Sequence, residues 1–414
     1  MKKYKIAVVG GGPAGMMAAI SVGKILNSNL KEIVLIEKTN LGEKLLLTGG
    51  GRANIANSKP IKEQLLKFNT NENFLKHSFY SFTNEDLLAI FKNKGLKFKE
   101  EANGKYFPIN GNANLVIEVL KEYLDELNVD VKLNMCVEII TKEDSGFHIK
   151  IRGKDNIISS KVILATGGKT YPKTGSTGHG YKIAKNFKHE ISPIKPGIVP
   201  IAIKDKELQK LSGITLEDVE VSFRDNKNKI KGNILISHFG LSGPAILDLS
   251  NFYNNNTNIS IDLIPNMTEN ELNKKIVSDL DSKGKMLIKN YLKLYQKNRF
   301  IDYFLKVIAV DGDKKLSNLS KKDRIKIINN LKEFIIDIDG VLSFDTAMIT
   351  CGGVKADEVN SKTMESKLIP GLFFAGELLE PAGLTGGYNL QMAFSTGFLA
   401  GKSATKHFNN LNIK

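Results

Sequence analysis

The sequence predicts an α/β protein in which both chain ends build one parallel-sheet domain, with a β-rich and helical domain inserted between them. Three observations carry that prediction. A short apolar strand runs through Gly10-Gly11-Gly12-Pro13-Ala14-Gly15 into a small-residue helix and a second apolar strand. Apolar runs ending in glycine return at 161–168 and 368–377. Between these runs, residues 196–340 change first to short alternating strands and then to a lysine-rich helical pattern. The expected division is 1–195 and 341–414 for the domain shared by the two ends, and 196–340 for the insert.

Taken in order, Tyr4-Lys5-Ile6-Ala7-Val8-Val9 is a buried strand, and a helix follows the glycine turn from about Met16 to Leu26. Glu32-Ile33-Val34-Leu35-Ile36-Glu37 is a second strand ending in an acid. A β-α-β unit of this size, about 34 residues, suits a parallel crossover. Residues 60–128 alternate helical and turn segments, and 131–152 alternate as a hairpin with Asp144-Ser145-Gly146 at its turn. Lys161–Gly168 is another buried strand running into glycine. Short alternating strands fill 196–265, and 268–334 is helical, with sixteen basic and nine acidic residues. From Phe344 strands, loops and glycines return, and the chain closes with a helix after Gly387.

Composition narrows the function. With 414 residues, 42% hydrophobic and 25% charged, the chain is globular and needs no disulfide staples. The two cysteines, Cys136 and Cys351, are far apart and in no metal-ligand spacing. That excludes a disulfide framework and a cysteine zinc site, and fits a reducing, cytoplasmic location. No apolar run has the length of a membrane helix. Met1-Lys2-Lys3 before an apolar stretch imitates a secretory signal, but glycines interrupt the stretch after Val9. The net charge of +15 raises a polyanion partner, yet only five of 59 basic residues are arginine: Arg52, Arg152, Arg224, Arg299 and Arg324. Nucleic-acid readers favour the arginine fork, so lysine excess reads as a solvated surface; nucleic acid is disfavoured as a partner but left open.

The glycine turn carries the first chemistry. Gly10 permits a tight turn, Gly12 lets the backbone approach a pyrophosphate, and Gly15 lets helix and strand pack closely. Pro13 and Ala14 open a helix whose free N–H groups and positive dipole face the phosphates. Glu37 can accept hydrogen bonds from both ribose hydroxyls, where a 2′-phosphate would clash, so FAD or NAD fits and NADP at this site does not. Further on come Lys38, Lys44 and the loop Thr48-Gly49-Gly50-Gly51-Arg52-Ala53-Asn54, which suits close approach to a large flat ligand, with Arg52 available to neutralise pyrophosphate charge. Near the other end, a strand enters Gly376-Glu377, an acid able to bind ribityl hydroxyls. Gly386-Gly387-Tyr388-Asn389-Leu390 then starts a helix whose N–H groups can stabilise reduced flavin at its N1–C2=O edge. An NAD dehydrogenase has no use for this second segment, so the expected cofactor is FAD in a Rossmann-like domain. Val137, Thr166, Gly167 and Gly168 complete the expected cofactor set. No metal site is expected.

On these residues the sequence resembles the two-dinucleotide-binding-domain flavoproteins of the glutathione-reductase-like superfamily, and within it the BaiN/YhiN-like NAD(P)/FAD-dependent oxidoreductases. The motifs that match are Gly10–Gly15, Lys44–Arg52, Ala165–Gly168, Tyr171–Gly178, His238-Phe239-Gly240-Leu241-Ser242-Gly243-Pro244, and Gly376-Glu377 with Gly386–Asn389. The resemblance covers nearly the whole chain. It implies an FAD domain interrupted by a β-rich and helical insert. It also implies reduction of a conjugated C=C bond in some members, one branch resembling bile-acid (3-dehydro-Δ4-steroid) reductases. The chain departs at Ala53, where members often carry Cys, and at His179 and Ala382, where an acid is common.

Reducing a polarised alkene takes hydride from flavin and a proton from a nearby donor. The candidate donors are Tyr171, His179, His238 and Tyr388. His238 could instead cap a helix or bond a carbonyl, and the tyrosines could be packing aromatics. Cys351, without a Cys-x-x-Cys partner, reads as a small buried residue, and Ser242 lacks the G-x-S-x-G spacing of a nucleophile. The expected reaction is reduction of an enone-type small molecule with electrons from NADH or NADPH, bound transiently because no second G-x-G-x-x-G occurs. Two other readings stay open: a flavin-dependent tRNA-modifying enzyme with the +7 helical segment as platform, and a non-catalytic flavin redox sensor whose insert contacts a protein.

Overall fold

The computed structural model describes residues 2–27, 31–69, 72–224, 228–406 and 408. Strand β1 (Lys2–Val9) is apolar on both faces from Ile6 onward, and Ile6, Ala7 and Val8 are fully buried, as a parallel strand covered from both sides requires. Gly10 follows at φ +108°, and a Cβ there would sit 2.4 Å from Ala165 O, so this sharp exit is open only to glycine. The helix α1 (Pro13–Leu26) opens with proline at its first turn, where no N–H is missed. It starts three residues before the expected Met16.

Strand β2 (Ile33–Ile36) pairs in parallel with β1, aligning Val8 with Leu35. Beyond it lies β3 (Asp130–Lys132), also parallel. On the other side of β1 comes β6 (Ile157–Leu164), preceded by the antiparallel pair β4 (Val137–Glu143) and β5 (Gly146–Ile151). The sheet order is β3-β2-β1-β6-β5-β4. The last strand, β7 (Leu372–Phe374), pairs in parallel with Val162–Leu164 of β6, while β5 occupies the other half of the same edge at Ile157–Ser159. Residues 131 and 132 thus belong to β3, and only the rest of the expected 131–152 hairpin is one.

The C-terminal helix α3 (Tyr388–Ala404) lies backbone to backbone on α1. A Cβ on Gly397 would fall 2.2 Å from Ala14 O, and one on Gly401 2.4 Å from Ala18 O. This small-residue seam, with β7 beside β6, is how the two chain ends meet. Between β6 and β7 runs α2 (His179–Asn186). At its far end the His189 ring, fully buried, stands between Glu358 (Nδ1 to Oε2, 2.9 Å) and Ser366 (Nε2 to Oγ, 2.8 Å). Burial lowers the His189 pKa, against the opposing pull of Glu358. Ser366 Oγ also accepts from Leu368 N and Ile369 N at 3.0 and 2.9 Å, so this arrangement is a structural pin. The expected helices of 60–128 are accompanied by two strands, Phe98–Glu101 and Lys105–Pro108, which form a three-stranded sheet with Ala56–Asn57.

The chain divides into two compact units, Met1–Lys195 with Met348–Lys414, and Pro196–Ala347. The second is a closed six-stranded barrel with helices packed on a core of Phe223, Tyr291, Phe300, Phe304 and Phe334. Residue 340 falls inside the barrel strand Phe334–Val341, so the unit runs past that expected boundary to Ala347. Among the described residues, no helix is long and apolar enough to cross a membrane.

Candidate functional site

Leaving β1, the chain crosses through α1 to β2 on one side, while β6 lies on the other. The carboxyl ends of β1 and β6 therefore border the crevice where open α/β sheets bind ligands. The first unit holds a cavity of about 490 Å³ there. Gly10, Gly12, Pro13, Ala14, Glu37, Lys38, Lys44, Thr48, Val137, Thr166, Gly167, His179, Glu377, Asn389 and Leu390 all line it. Residues separated by up to 380 positions in sequence thus meet at one place.

Each wall has a local cause. One Glu37 carboxylate oxygen accepts Gly11 N at 2.6 Å and the other accepts Thr39 N at 2.9 Å, so the acid at the end of β2 is tied to the glycine turn. A Cβ on Gly12 would meet nothing within 4 Å, and this residue leaves the backbone bare toward the cavity. Lys38 Nζ donates to Thr177 Oγ1 at 3.0 Å, holding the 174–177 segment over this end. At the other end Lys44 Nζ lies 2.7 Å from Glu377 Oε2, each side chain about one-fifth exposed. Glu377 Oε1 also receives Thr350 N at 2.8 Å and Thr170 Oγ1 at 3.3 Å. Gly168 leaves room for that network, since a Cβ would fall 2.1 Å from Thr350 Oγ1. The pair is thus neutralised and multiply hydrogen-bonded, which offsets the cost of withdrawing two charges from water.

Other expected residues shape the cavity from behind. A Cβ on Gly15 would strike Gly10 O at 1.8 Å, on Gly376 Ala14 Cβ at 2.7 Å, and on Gly387 Ala56 O at 2.5 Å. Gly386 packs over the Tyr388 ring, and Gly49 and Gly50 are exposed. Asn389 uses its amide to close the 383–384 loop, accepting Gly383 N at 2.8 Å and donating to Gly383 O at 2.9 Å.

Four expected residues are placed differently. Arg52 donates to both Glu101 oxygens at 3.0 Å and lies 4.0 Å from the Phe107 ring centroid; it is outside the cavity lining and its charge is already compensated. Tyr388 is buried under Gly386, and Tyr171 sits at φ +51° with its carbonyl accepting Thr174 N and Oγ1. Neither lines the cavity. His238 is exposed on the second unit, at the hairpin between barrel strands Ile230–Ser237 and Gly240–Ser242, its ring edge-on to Phe239 at 4.9 Å. Among the four candidate proton donors, only His179 lines the cavity.

Sequence reasoning missed Cys136 and Arg152, which line the cavity beside Val137, and Thr170 and Thr350, which hold Glu377. The Thr350-Cys351 neighbourhood of the last glycine segment was the one available signal. Burial pushes the Cys351 thiol up to about 12, so it is inert. Among the described residues no cluster of His, Cys, Asp or Glu is placed to hold a metal ion.

The residues fit a dinucleotide. Three buried side-chain atoms at expected site positions have no hydrogen-bond partner: Asn54 Oδ1, Thr166 Oγ1 and His179 Nε2. Leaving such an atom unpaired costs about 1–3 kcal/mol, which a ligand rich in phosphate, hydroxyl and ring N–H groups removes. The bare Gly12 backbone, the anchored Glu37 and the orphaned Thr166 and His179 share one cavity, as FAD binding requires.

Comparison with known proteins agrees with this geometry. The family model of the HI0933-like protein Rossmann domain matches residues 4–403. The chain is 28% identical over 401 residues to a ribosomal RNA dihydrouridine synthase of Escherichia coli K12, covering 96% of this chain and 97% of that one. It is 28% identical over 411 residues to a 3-dehydro-bile acid delta(4,6)-reductase of Clostridium scindens, covering 97% and 99%. Among solved structures, E. coli quinol fumarate reductase superposes with a TM-score of 0.50 at 16% identity, covering 100% of this chain and 72% of that chain, a likeness of fold.

Proposed function

The chain belongs to the HI0933-like Rossmann-domain family, and from that premise we propose that it is an FAD-dependent reductase of a C=C bond conjugated to a carbonyl, supplied with electrons by NADH or NADPH. The observation that carries the reading is the single cavity joining the Gly10–Gly15 turn, Glu37 and Glu377 across three strand ends. The two relatives named above support the reaction class. A Δ4 double bond beside a 3-oxo group and the C5=C6 bond of uridine beside its C4 carbonyl are the same kind of polarised alkene. Their names differ in substrate and agree in chemistry.

Bound FAD supplies the hydride. The chain's own residues do the rest. The N-terminus of α1 and the Gly12 backbone would take the phosphates. Glu37 would take the ribose hydroxyls, its carboxylate already oriented by Gly11 and Thr39. The Lys44–Glu377 pair, fixed by Thr170 and Thr350, would present polar groups to the ribityl chain. Asn54 Oδ1 lies near the start of α3, 3.0 Å from where a Gly387 Cβ would be, and would accept from a ring N–H.

The preferred substrate is a small enone. One observation favours RNA as a second reading. The first unit carries 36 basic against 24 acidic residues, and the second 23 against 20. Positive charge thus resides with the cavity-bearing unit, and the acids of the barrel largely cancel the lysine-rich helices once expected to be the platform. The test is anaerobic mixing of the yellow holoprotein with NADH or NADPH, followed by reoxidation with a 3-oxo-Δ4 steroid or a uridine-containing RNA. Bleaching by a nicotinamide and reoxidation by either acceptor supports the reading. A flavin that neither nicotinamide bleaches refutes the proposed donor.

A further inference from the structure

Among the described residues, His179 and Thr166 are the two that line the cavity with a buried polar atom lacking a hydrogen-bond partner. They are also neighbours. Gly180, the residue after His179, leaves no room for a Cβ, which would fall 1.8 Å from Thr166 Oγ1. Thr166 in turn stands beside the glycine turn, its Cα 2.9 Å from where a Gly10 Cβ would be. Thr166 therefore sits where the carboxyl ends of β1 and β6 adjoin, and His179 is one residue from the glycine packed against it. His179 is also the first residue of α2, whose first turn contains no acidic side chain. The positive ends of two helices, α1 and α2, thus reach the same cavity.

We propose that His179 Nε2–H and Thr166 Oγ1–H are ligands of the cofactor's pyrophosphate, gripping from the α2 side the group that the Gly10–Gly15 turn receives from the α1 side. The inference rests on the FAD reading of this cavity and changes the role of His179. In the sequence it competes as a proton donor for substrate. In the fold it is committed to the anionic middle of the dinucleotide, with its Nε2-protonated tautomer donating. Thr166 is expected to act with it, because both atoms are unpaired, both residues line the cavity, and Gly180, the residue after His179, packs on Thr166.

The experiment compares wild type with His179→Ala, Thr166→Val and His179→Gln in the full chain. FAD affinity is read from flavin fluorescence as holoprotein is diluted, and ADP and adenosine binding by calorimetry on the FAD-stripped chain. Loss of one hydrogen bond to a charged group predicts about 10- to 100-fold weaker FAD and ADP binding in His179→Ala. Adenosine, which lacks phosphate, should bind all variants as it binds wild type, and His179→Gln, which keeps a donor, should recover part of the loss. Unchanged FAD and ADP affinity in His179→Ala and Thr166→Val overturns the proposal. So does an equal loss for adenosine, which would place the effect in the adenosine half or in the fold. If wild type binds neither FAD nor ADP, the FAD reading itself fails, an outcome distinct from a variant that binds as wild type does.

Discussion

Replacing Gly397 by alanine tests whether the α1–α3 seam both stabilises the first unit and shapes the cavity. The new Cβ would lie 2.2 Å from Ala14 O and 3.0 Å from Ala14 Cα, where ordinary contact begins at 3.4 Å. Ala14 cannot yield locally, because it is buried in the first turn of α1 and Gly376 backs it so closely that a Cβ there would fall 2.7 Å from the Ala14 Cβ. Helix α3 must therefore retreat by about 1 Å. Overpacking of this kind costs about 1–3 kcal/mol. The better helix propensity of alanine returns about 1 kcal/mol, leaving up to about 2 kcal/mol of net destabilisation. For a domain of this size that is a melting-temperature drop of up to about 8 °C. The displaced residues include Asn389 and Leu390, both on the cavity wall, so FAD affinity should fall with stability. Gly401→Ala meets Ala18 O at 2.4 Å one turn further from the cavity, and should lose stability while keeping FAD. Melting curves followed by flavin release, with FAD titration of each variant, provide the assay. A Gly397→Ala protein that melts at or above the wild-type temperature and binds FAD equally well refutes the seam as the device that joins the chain ends.

Glu37→Gln should weaken FAD by about tenfold in a fluorescence titration, since the amide would turn a donor toward Gly11 N or Thr39 N. Arg52→Ala should keep FAD affinity within about twofold, because the guanidinium is spent on Glu101 and Phe107; a tenfold loss would return Arg52 to the pyrophosphate. Cys136, half-buried on the cavity wall, should react with a thiol reagent in the FAD-stripped protein and be shielded by FAD, while Cys351 stays silent until the chain unfolds. The buried His189 has its pKa lowered from 6.5, so the unfolded chain takes up its proton before the folded one does. The stability it contributes is whole above pH 6.5 and declines as pH falls through the unfolded value toward the folded one. Wild type should lose more melting temperature than His189→Gln between pH 7 and pH 5; parallel curves would remove His189 from the acid response.

What the sequence discloses and what it conceals divide along the range of the interactions involved. Ile6–Val9, Ile33–Ile36 and Val162–Leu164 are legible because a strand covered on both faces must be apolar throughout, and each ends in glycine or an acid. The turn at Gly10–Gly15 and the anchored Glu37 are legible because their chemistry is local: steric limits at Gly10, a free helix end at Pro13, an acid at the end of the next strand. The hold on Glu377 is not. Its partners come from Lys44, Thr170 and Thr350, and nothing in the spacing of an isolated threonine tells that it will face a carboxylate 207 residues later, as Thr170 does, or 27 later, as Thr350 does. The barrel is legible as strands, while its closure depends on pairing Phe334–Val341 with Asn258–Asp262 and Ile201–Ile203, a long-range register that alternation alone leaves open.

The candidate proton donors show the same limit from the functional side. Tyr171, His179, His238 and Tyr388 are alike in sequence, each an ionisable or hydroxyl side chain beside glycine. The fold separates them by what surrounds them. Tyr388 is enclosed by the start of α3, Tyr171 spends its residue on a left-handed turn, and His179 is drawn to the cavity wall by the demand of Gly180 for contact with Thr166. A side chain built into the binding wall is poorly placed to serve an incoming substrate, because its donor is occupied for as long as the cofactor is bound. His179 is thereby removed from the proton donors. FAD-saturated His179→Ala should reoxidise reduced flavin with an enone at the wild-type rate, with flavin reduction by nicotinamide also unchanged. A reoxidation slowed about 100-fold or more in the FAD-saturated variant would return His179 to proton delivery.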